Sequence, residues 1–219
     1  VLFVTAHPDD EVMFFAPSIL TLGGIGAQIY ALCLSIGDVD KLGNTRRKEL
    51  YKSFITLGVP VERVRNIDDP YVRLQDGMQV NWSTDTIIEY ISHQIKQDGP
   101  FDAIITFDNK GISGHSNHRA CYQALKILSQ SYLSSHSTDF YILHTVPLSV
   151  KYLSLPMAIA RQYLSANPNH QLRFLSSMKS YLIALQAMMA HQSQLVWYRY
   201  LYIMSSVYMY NNELVKLND

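Results

Sequence analysis

Val1-Leu2-Phe3-Val4-Thr5, followed at once by Ala6-His7-Pro8-Asp9-Asp10-Glu11, is the stretch on which the fold turns. Its first five residues are continuously apolar up to Thr5, which reads as a strand buried on both faces. From Glu11 to Leu22 the apolar residues recur at helical spacing, and Gly23-Gly24 stands where such a helix would stop. The same rhythm continues along the chain. Gln28 to Ser35, Arg63 to Ile67, Ala103 to Phe107 and Phe140 to Thr145 read as further strands. Thr45 to Leu57, Thr84 to Lys96 and Asn117 to Ser131 carry helix-period spacing, and Gly58 ends the first of these. Alternating strands and helices predict an α/β fold: a mostly parallel sheet with helices on both faces. Strand order is left open. After Thr145 the rhythm breaks, and one more long helix is expected over about Ser176 to His191.

The chain's 219 residues suit a single domain, and an apolar content of 48% excludes a disordered chain. Lys plus Arg and Asp plus Glu number 18 each, so no net field recruits nucleic acid. Cys33 and Cys121 lie far apart in apolar segments, which points to two buried thiols in a reducing compartment. No stretch reaches the roughly 18 uncharged apolar residues of a membrane span. The most apolar one, Leu195 to Tyr210, carries Arg199 in its middle. The chain has no initiator Met and opens inside an apolar run, as a trimmed or processed chain would.

In an open parallel sheet the chemistry gathers at the carboxyl ends of the strands. Two polar loops would open there together: Ala6 to Glu11 after the first strand and Asp108 to His118 after the fourth. His7 and Asp10 are three apart, as are His115 and His118, so each pair falls on one side of one turn. Imidazole and carboxylate suit zinc, and three protein ligands plus a water make a hydrolytic site. With His7, Asp10 and His118 on the metal, a neighbouring carboxylate can take a proton from the metal-bound water. An imidazolium opposite can stabilise an oxyanion or protonate a leaving amine. That set fits amide hydrolysis. Spacing leaves open which of Asp9 and Asp10 ligates and which acts as base, and either could instead cap the helix. No G-x-G-x-x-G follows the first strand, which disfavours a dinucleotide site.

The Ala6 to Glu11 and Gly114-His115-Ser116-Asn117-His118 segments resemble the two marks of the LmbE/PIG-L deacetylase superfamily. Val12 to Pro17, Thr45 to Leu50, Thr106 to Asp108, His191 to Trp197 and Leu201 to Ile203 are similar to its eukaryotic branch. The likeness runs from Val1 to about Tyr210 and treats residues 1–219 as one such domain. It implies a Rossmann-like fold and zinc-dependent removal of acetate from N-acetylglucosaminyl-phosphatidylinositol, the second step of glycosylphosphatidylinositol (GPI) anchor synthesis. It further implies that His7, Asp10 and His118 ligate the metal, Asp9 is the general base, and His115 is its electrostatic partner. Iron, manganese or cobalt could replace zinc on the same ligands. Family members usually carry an N-terminal membrane helix and work on the cytoplasmic face of the endoplasmic reticulum. By that likeness this chain is a soluble catalytic domain, lacking that helix, that meets a glycolipid at a membrane surface. The branch commonly has His-Arg-Ser-Gln where this chain has His191-Gln192-Ser193-Gln194, which moves the burden of gripping phosphate to other cations.

Beyond the centre, Arg46 is a candidate for phosphate or sugar, since a guanidinium bonds phosphate bidentately. Asp68 is placed to accept from sugar hydroxyls, with a turn role as its rival, and His191 to reach the rim. Asp108 is a candidate to orient a metal-ligating imidazole. His93, His136, His144 and His170 match no motif and read as surface or loop residues. Trp197, Tyr198, Tyr200, Tyr202, Tyr208 and Tyr210 suit either core packing or a membrane interface. Two other readings stand beside the leading one: deacetylation of a soluble N-acetylglucosaminide, and a metal-bearing sugar-binding module without catalysis.

Overall fold

The computed structural model describes residues 1–132, 137–164 and 171–217. His136 and His170 lie outside the described residues, while His93 is exposed and His144 half-buried. Strands β1 (Leu2–Thr5), β2 (Tyr30–Cys33), β3 (Val64–Asn66), β4 (Ala103–Phe107) and β5 (Asp139–Leu143) all pair in parallel. Two more strands extend the sheet, β6 (Gln171–Leu175) and β7 (Asn211–Lys216), giving the order β3-β2-β1-β4-β5-β7-β6. β7 runs antiparallel to both of its neighbours. The first five strands are the expected ones. The last two were not legible, because Asn211-Asn212-Glu213 gives no strand pattern.

Helices α1 (Asp10–Gly24), α2 (Gly43–Thr56) and α8 (Met178–Met189) pack together on one face. On the other, α3 (Thr84–Asp98) packs on α5 (Ser116–Tyr132), which lies against β1, β4 and β5. Crossovers of the usual right hand put helices on both faces of a sheet with this strand order. Short helices α4 (Gly111–Gly114) and α6 (Leu148–Lys151), together with α7 (Ser154–Leu164) and α9 (Trp197–Ser205), complete the described helices. Phe3, Phe15, Phe54, Phe107 and Phe140 are fully buried between the layers, each contributing about 1.5–3 kcal/mol of transfer free energy. Cys33 and Cys121 are buried free thiols.

α1 holds the first motif, and its interior Pro17 has consequences for the chain's end. Proline brings no N–H to the carbonyl four residues back. The Tyr202 hydroxyl donates to that carbonyl of Met13 instead, at 2.7 Å. One residue on, the Asn212 amide bridges the same turn, donating to the Phe14 carbonyl at 2.7 Å and accepting from the Ser18 N–H at 3.1 Å. α9 and β7 are therefore fastened to the helix whose N-terminus faces the site.

Candidate active site

The loops after β1 and β4 open on one rim, as expected for a parallel sheet. Both are held in backbone conformations that side chains seldom adopt. Asp9 has φ 113° and Ile112 has φ 63°, and strain of this kind persists only where the surroundings fix it. At Asp9 the surroundings are Glu11, whose Oε2 accepts the Asp9 N–H at 3.0 Å. At the second loop, Asp108 accepts from the N–H groups of Lys110 and Gly111, both at 3.0 Å, and from Thr145. Gly111 has φ 60°, and a Cβ there would lie 3.1 Å from that of His118, so the turn requires glycine.

His7, Asp10 and His118 come together at the bottom of this rim, one ligand atom of each within 4.8 Å of the others. All three are buried. Asp10 Oδ2 accepts from the backbone N–H groups of Ala6 and His7 at 3.0 and 2.8 Å, which leaves Oδ1 turned to His118 Nε2 at 3.3 Å. His118 Nδ1 donates to the Gly111 carbonyl at 3.1 Å, so the neutral ring carries its lone pair on Nε2. That buried Nε2 has no hydrogen-bond partner. The ring is further fixed by stacking on Phe107, with centroids 3.9 Å apart. A carboxylate oxygen and an unprotonated imidazole nitrogen, aimed at each other in a buried place, suit a divalent cation. Burial opposes the Asp10 charge, but positive charge on the facing His118 and His7 rings, the charge a bound cation would supply in their place, holds the carboxyl well below the usual range.

A second group shares His7. Asp76, which belongs to no motif, lies 3.0 Å from His7 Nε2 and 3.8 Å from His115 Nε2. Asn117 brings it there. Its Oδ1 accepts from the Gly77 N–H and its Nδ2 donates to the Val80 carbonyl, at 3.2 and 2.6 Å. The middle of the second motif thus clamps the loop that carries Asp76. His7, Asp76 and His115 form another trio of potential ligands.

Asp9 lines the same cleft, which holds about 250 Å³. Burial raises its pKa, against the opposing charges of Arg199 and Arg46, while Asp10 adds to the rise. Arg199 donates to Asp9 Oδ2 at 3.0 Å. Like Asp76 it belongs to no motif, being a single charge inside the apolar run Leu195 to Tyr210. His115 differs from expectation. Burial and the neighbouring His7 and His118 push its pKa down to about 4, so the ring at neutral pH is an imidazole rather than an imidazolium. Its Nδ1 accepts the Asn117 N–H at 3.3 Å, which places the proton on Nε2.

The remaining candidates divide. Arg46 reaches the cleft, where it donates to the Gly37 and Pro8 carbonyls and to Asp76, at 2.8, 2.9 and 3.2 Å. Asp68 instead pairs with Arg47 at 3.1 Å beside an adjoining cavity of about 170 Å³. His191 does not reach the rim. It is fully buried under the first motif, its Nε2 2.6 Å from Glu11 Oε1, because Glu49 pins the following turn through Ser193. Asp108 orients no imidazole directly; it fixes the turn, and the Gly111 carbonyl holds His118. Gln192 is exposed and lies off the cleft, whereas Gln194 lines it.

A buried acid beside an imidazole–carboxylate cluster, on the carboxyl rim of a mostly parallel sheet, belongs to the hydrolytic α/β enzymes. Residues 2–128 match the PIG-L family, described as GlcNAc-PI de-N-acetylase. A probable N-acetylglucosaminyl-phosphatidylinositol de-N-acetylase of Schizosaccharomyces pombe is 40% identical, over 98% of this chain and 85% of the relative. The de-N-acetylase of that name from Bos taurus is 36% identical, over 97% of this chain and 81% of its own. Among solved structures, the fold is similar to N,N'-diacetylchitobiose deacetylase from Pyrococcus horikoshii. That match has TM-score 0.66 and 17% identity, covering 99% of this chain and 82% of the other. The chain belongs to the PIG-L family and is a deacetylase.

Proposed function

We propose that the chain hydrolyses the N-acetyl group of N-acetylglucosaminyl-phosphatidylinositol in GPI anchor synthesis, at the cytoplasmic face of the endoplasmic reticulum membrane. The observation that carries a hydrolytic metal site is the unpartnered His118 Nε2 facing Asp10 Oδ1. The names of the relatives at 36–40% identity over nearly the whole chain support this substrate. His7, Asp10 and His118 would hold the cation, zinc by preference for this ligand set. When bound, such a cation lowers the pKa of a coordinated water towards about 7 and polarises a carbonyl.

The chain's own groups supply the rest. Asp9 takes the proton of the attacking water, and burial makes it a stronger base than an ordinary carboxylate. Water oxygen then bonds to the acetyl carbon. The His115 Nε2–H donates to the oxygen on which charge develops. As the C–N bond breaks, the proton held by Asp9 passes to the leaving amine, giving the free glucosamine and acetic acid, which loses its remaining proton to solvent as acetate. Arg199 and Arg46 keep Asp9 in place and temper its basicity.

Acetate release from the lipid-linked substrate and from water-soluble N-acetylglucosaminides tests this reading. Preference for the lipid-linked compound supports it. Turnover of soluble compounds alone would replace the substrate, and saturable sugar binding without acetate release from either would leave a binding module.

A further inference from the structure

Beside the catalytic cleft lies a larger, more apolar groove of about 470 Å³ between α6 and α9. Met13, Phe14, Ser113 and Arg199 border both, so the two are continuous. The groove's own cation is Lys151, only 7% exposed. Among the described residues its ammonium has no carboxylate within salt-bridge reach, only the Tyr152 ring with its centroid 5.6 Å away. Arg46 and Arg199, the other cations at this end, are already engaged with carbonyls and with Asp76 and Asp9. Burial lowers the Lys151 pKa and no neighbouring charge restores it. Its stem is buried while its ammonium opens on the groove without a counter-ion, so an anionic ligand there would gain a charge-assisted contact. On the nine-residue α9, Tyr198 and Leu201 at the groove's wall and Trp197 and Met204 beyond it are all more than half exposed. Trp and Tyr in that company favour a membrane–water interface.

We propose that this groove is the lipid subsite: Lys151 takes the phosphodiester of a membrane inositol lipid, and the outer aromatic face of α9 rests in the surrounding bilayer. The proposal rests on the substrate reading above. A glycosylated phosphatidylinositol presents acetamide, sugar, inositol, phosphodiester and acyl chains in that order. The molecule presents a polar cleft, then a groove with one unpaired cation, then exposed aromatics. Charge complementarity selects the anionic lipid over a second protein. No helix among the described residues is long and apolar enough to cross a membrane, so the contact described is one of surface docking.

The test is co-sedimentation of the whole chain with phosphatidylcholine vesicles, with and without phosphatidylinositol. Wild type should bind the phosphatidylinositol vesicles more tightly. Lys151→Gln should lose at least about tenfold of that difference, the worth of one charge-assisted contact, and Lys151→Arg should restore it. Leu201→Ser, at an exposed site, should weaken binding to both vesicles. In parallel, the ratio of kcat/KM on the lipid-linked substrate to that on phosphate-free N-acetylglucosaminyl-inositol should fall at least about tenfold in Lys151→Gln. Equal vesicle binding by wild type, Lys151→Gln and Leu201→Ser would overturn the proposal. Because vesicle binding needs no turnover, a failed substrate assignment would show in the kinetic arm alone.

Discussion

Replacing Glu11 by Gln probes how the end of the first motif supports the proposed base. Glu11 is fully buried, and its two oxygens serve three neighbours. Oε2 accepts the Asp9 N–H at 3.0 Å; Oε1 meets Ser53 Oγ and His191 Nε2, both at 2.6 Å. Glutamine has one such oxygen and one NH2. With its oxygen kept towards Ser53 and His191, the NH2 opposes the Asp9 N–H, donor against donor. Flipped, its NH2 can donate to both Ser53 and the imidazole only if each turns its own proton away, which orphans the Ser53 O–H, and His191 loses its counter-charge. One orphaned buried donor costs about 1–3 kcal/mol, and breaking a buried ion pair costs at most about 3–5 kcal/mol. A loss of roughly 2–4 kcal/mol follows, and for a domain of this size that lowers Tm by roughly 4–16 °C. Acetate release should fall further than stability at the assay temperature explains, because nothing then holds Asp9 at φ 113°. Calorimetry and a turnover assay on the same preparation decide it. A Tm within about 2 °C of wild type, with full turnover, would refute the idea that Glu11 fixes the base.

Other perturbations have equally definite outcomes. Asn212→Leu keeps the volume but strips the Phe14 carbonyl and the Ser18 N–H of their bridge, so denaturant unfolding should show a loss of about 2–4 kcal/mol. Arg199→Gln removes the cation nearest Asp9 and lets burial raise the carboxyl further; kcat/KM should fall more at pH 6 than at pH 8. Asp69 is held down to about 2 by its hydrogen bonds with Arg73, burial opposing. Because its folded pKa lies below the unfolded value of about 3.9, its stabilisation is complete above that value. It disappears as pH falls towards 2. Arg73 is a third exposed, so Asp69→Asn should cost no more than about 1 kcal/mol at pH 6, and its melting curve should converge on wild type as pH drops below 4.

The parts of the molecule that local pattern controls were legible in its sequence. β1 to β5 are short apolar runs whose burial on both faces erases alternation, and the helices between them show their buried stripe. The two motif loops were legible because a parallel sheet delivers them to one rim. What escaped is held by distant partners. β7 begins with Asn211-Asn212-Glu213, polar residues that are buried only because Gln162, Ser18, Phe14 and Arg161 satisfy them. Asp76 sits in a long connection without regular structure and is brought to His7 by Asn117, which holds the next residue, Gly77, from forty positions further on. His191 looked like a rim residue because only the fold shows it turned inward to Glu11. Arg199 reads as a charge interrupting an apolar tail until α9 is seen packed over Met13 and its guanidinium against Asp9.

The central claim is that His7, Asp10 and His118, rather than the neighbouring trio of His7, Asp76 and His115, hold the catalytic cation. Metal analysis of the purified wild type, Asp9→Asn and His118→Ala proteins, each confirmed folded, tests it most directly. The account predicts about one divalent cation per chain in wild type and in the inactive Asp9→Asn, and none retained by His118→Ala. A folded His118→Ala protein that kept its metal in full would contradict it.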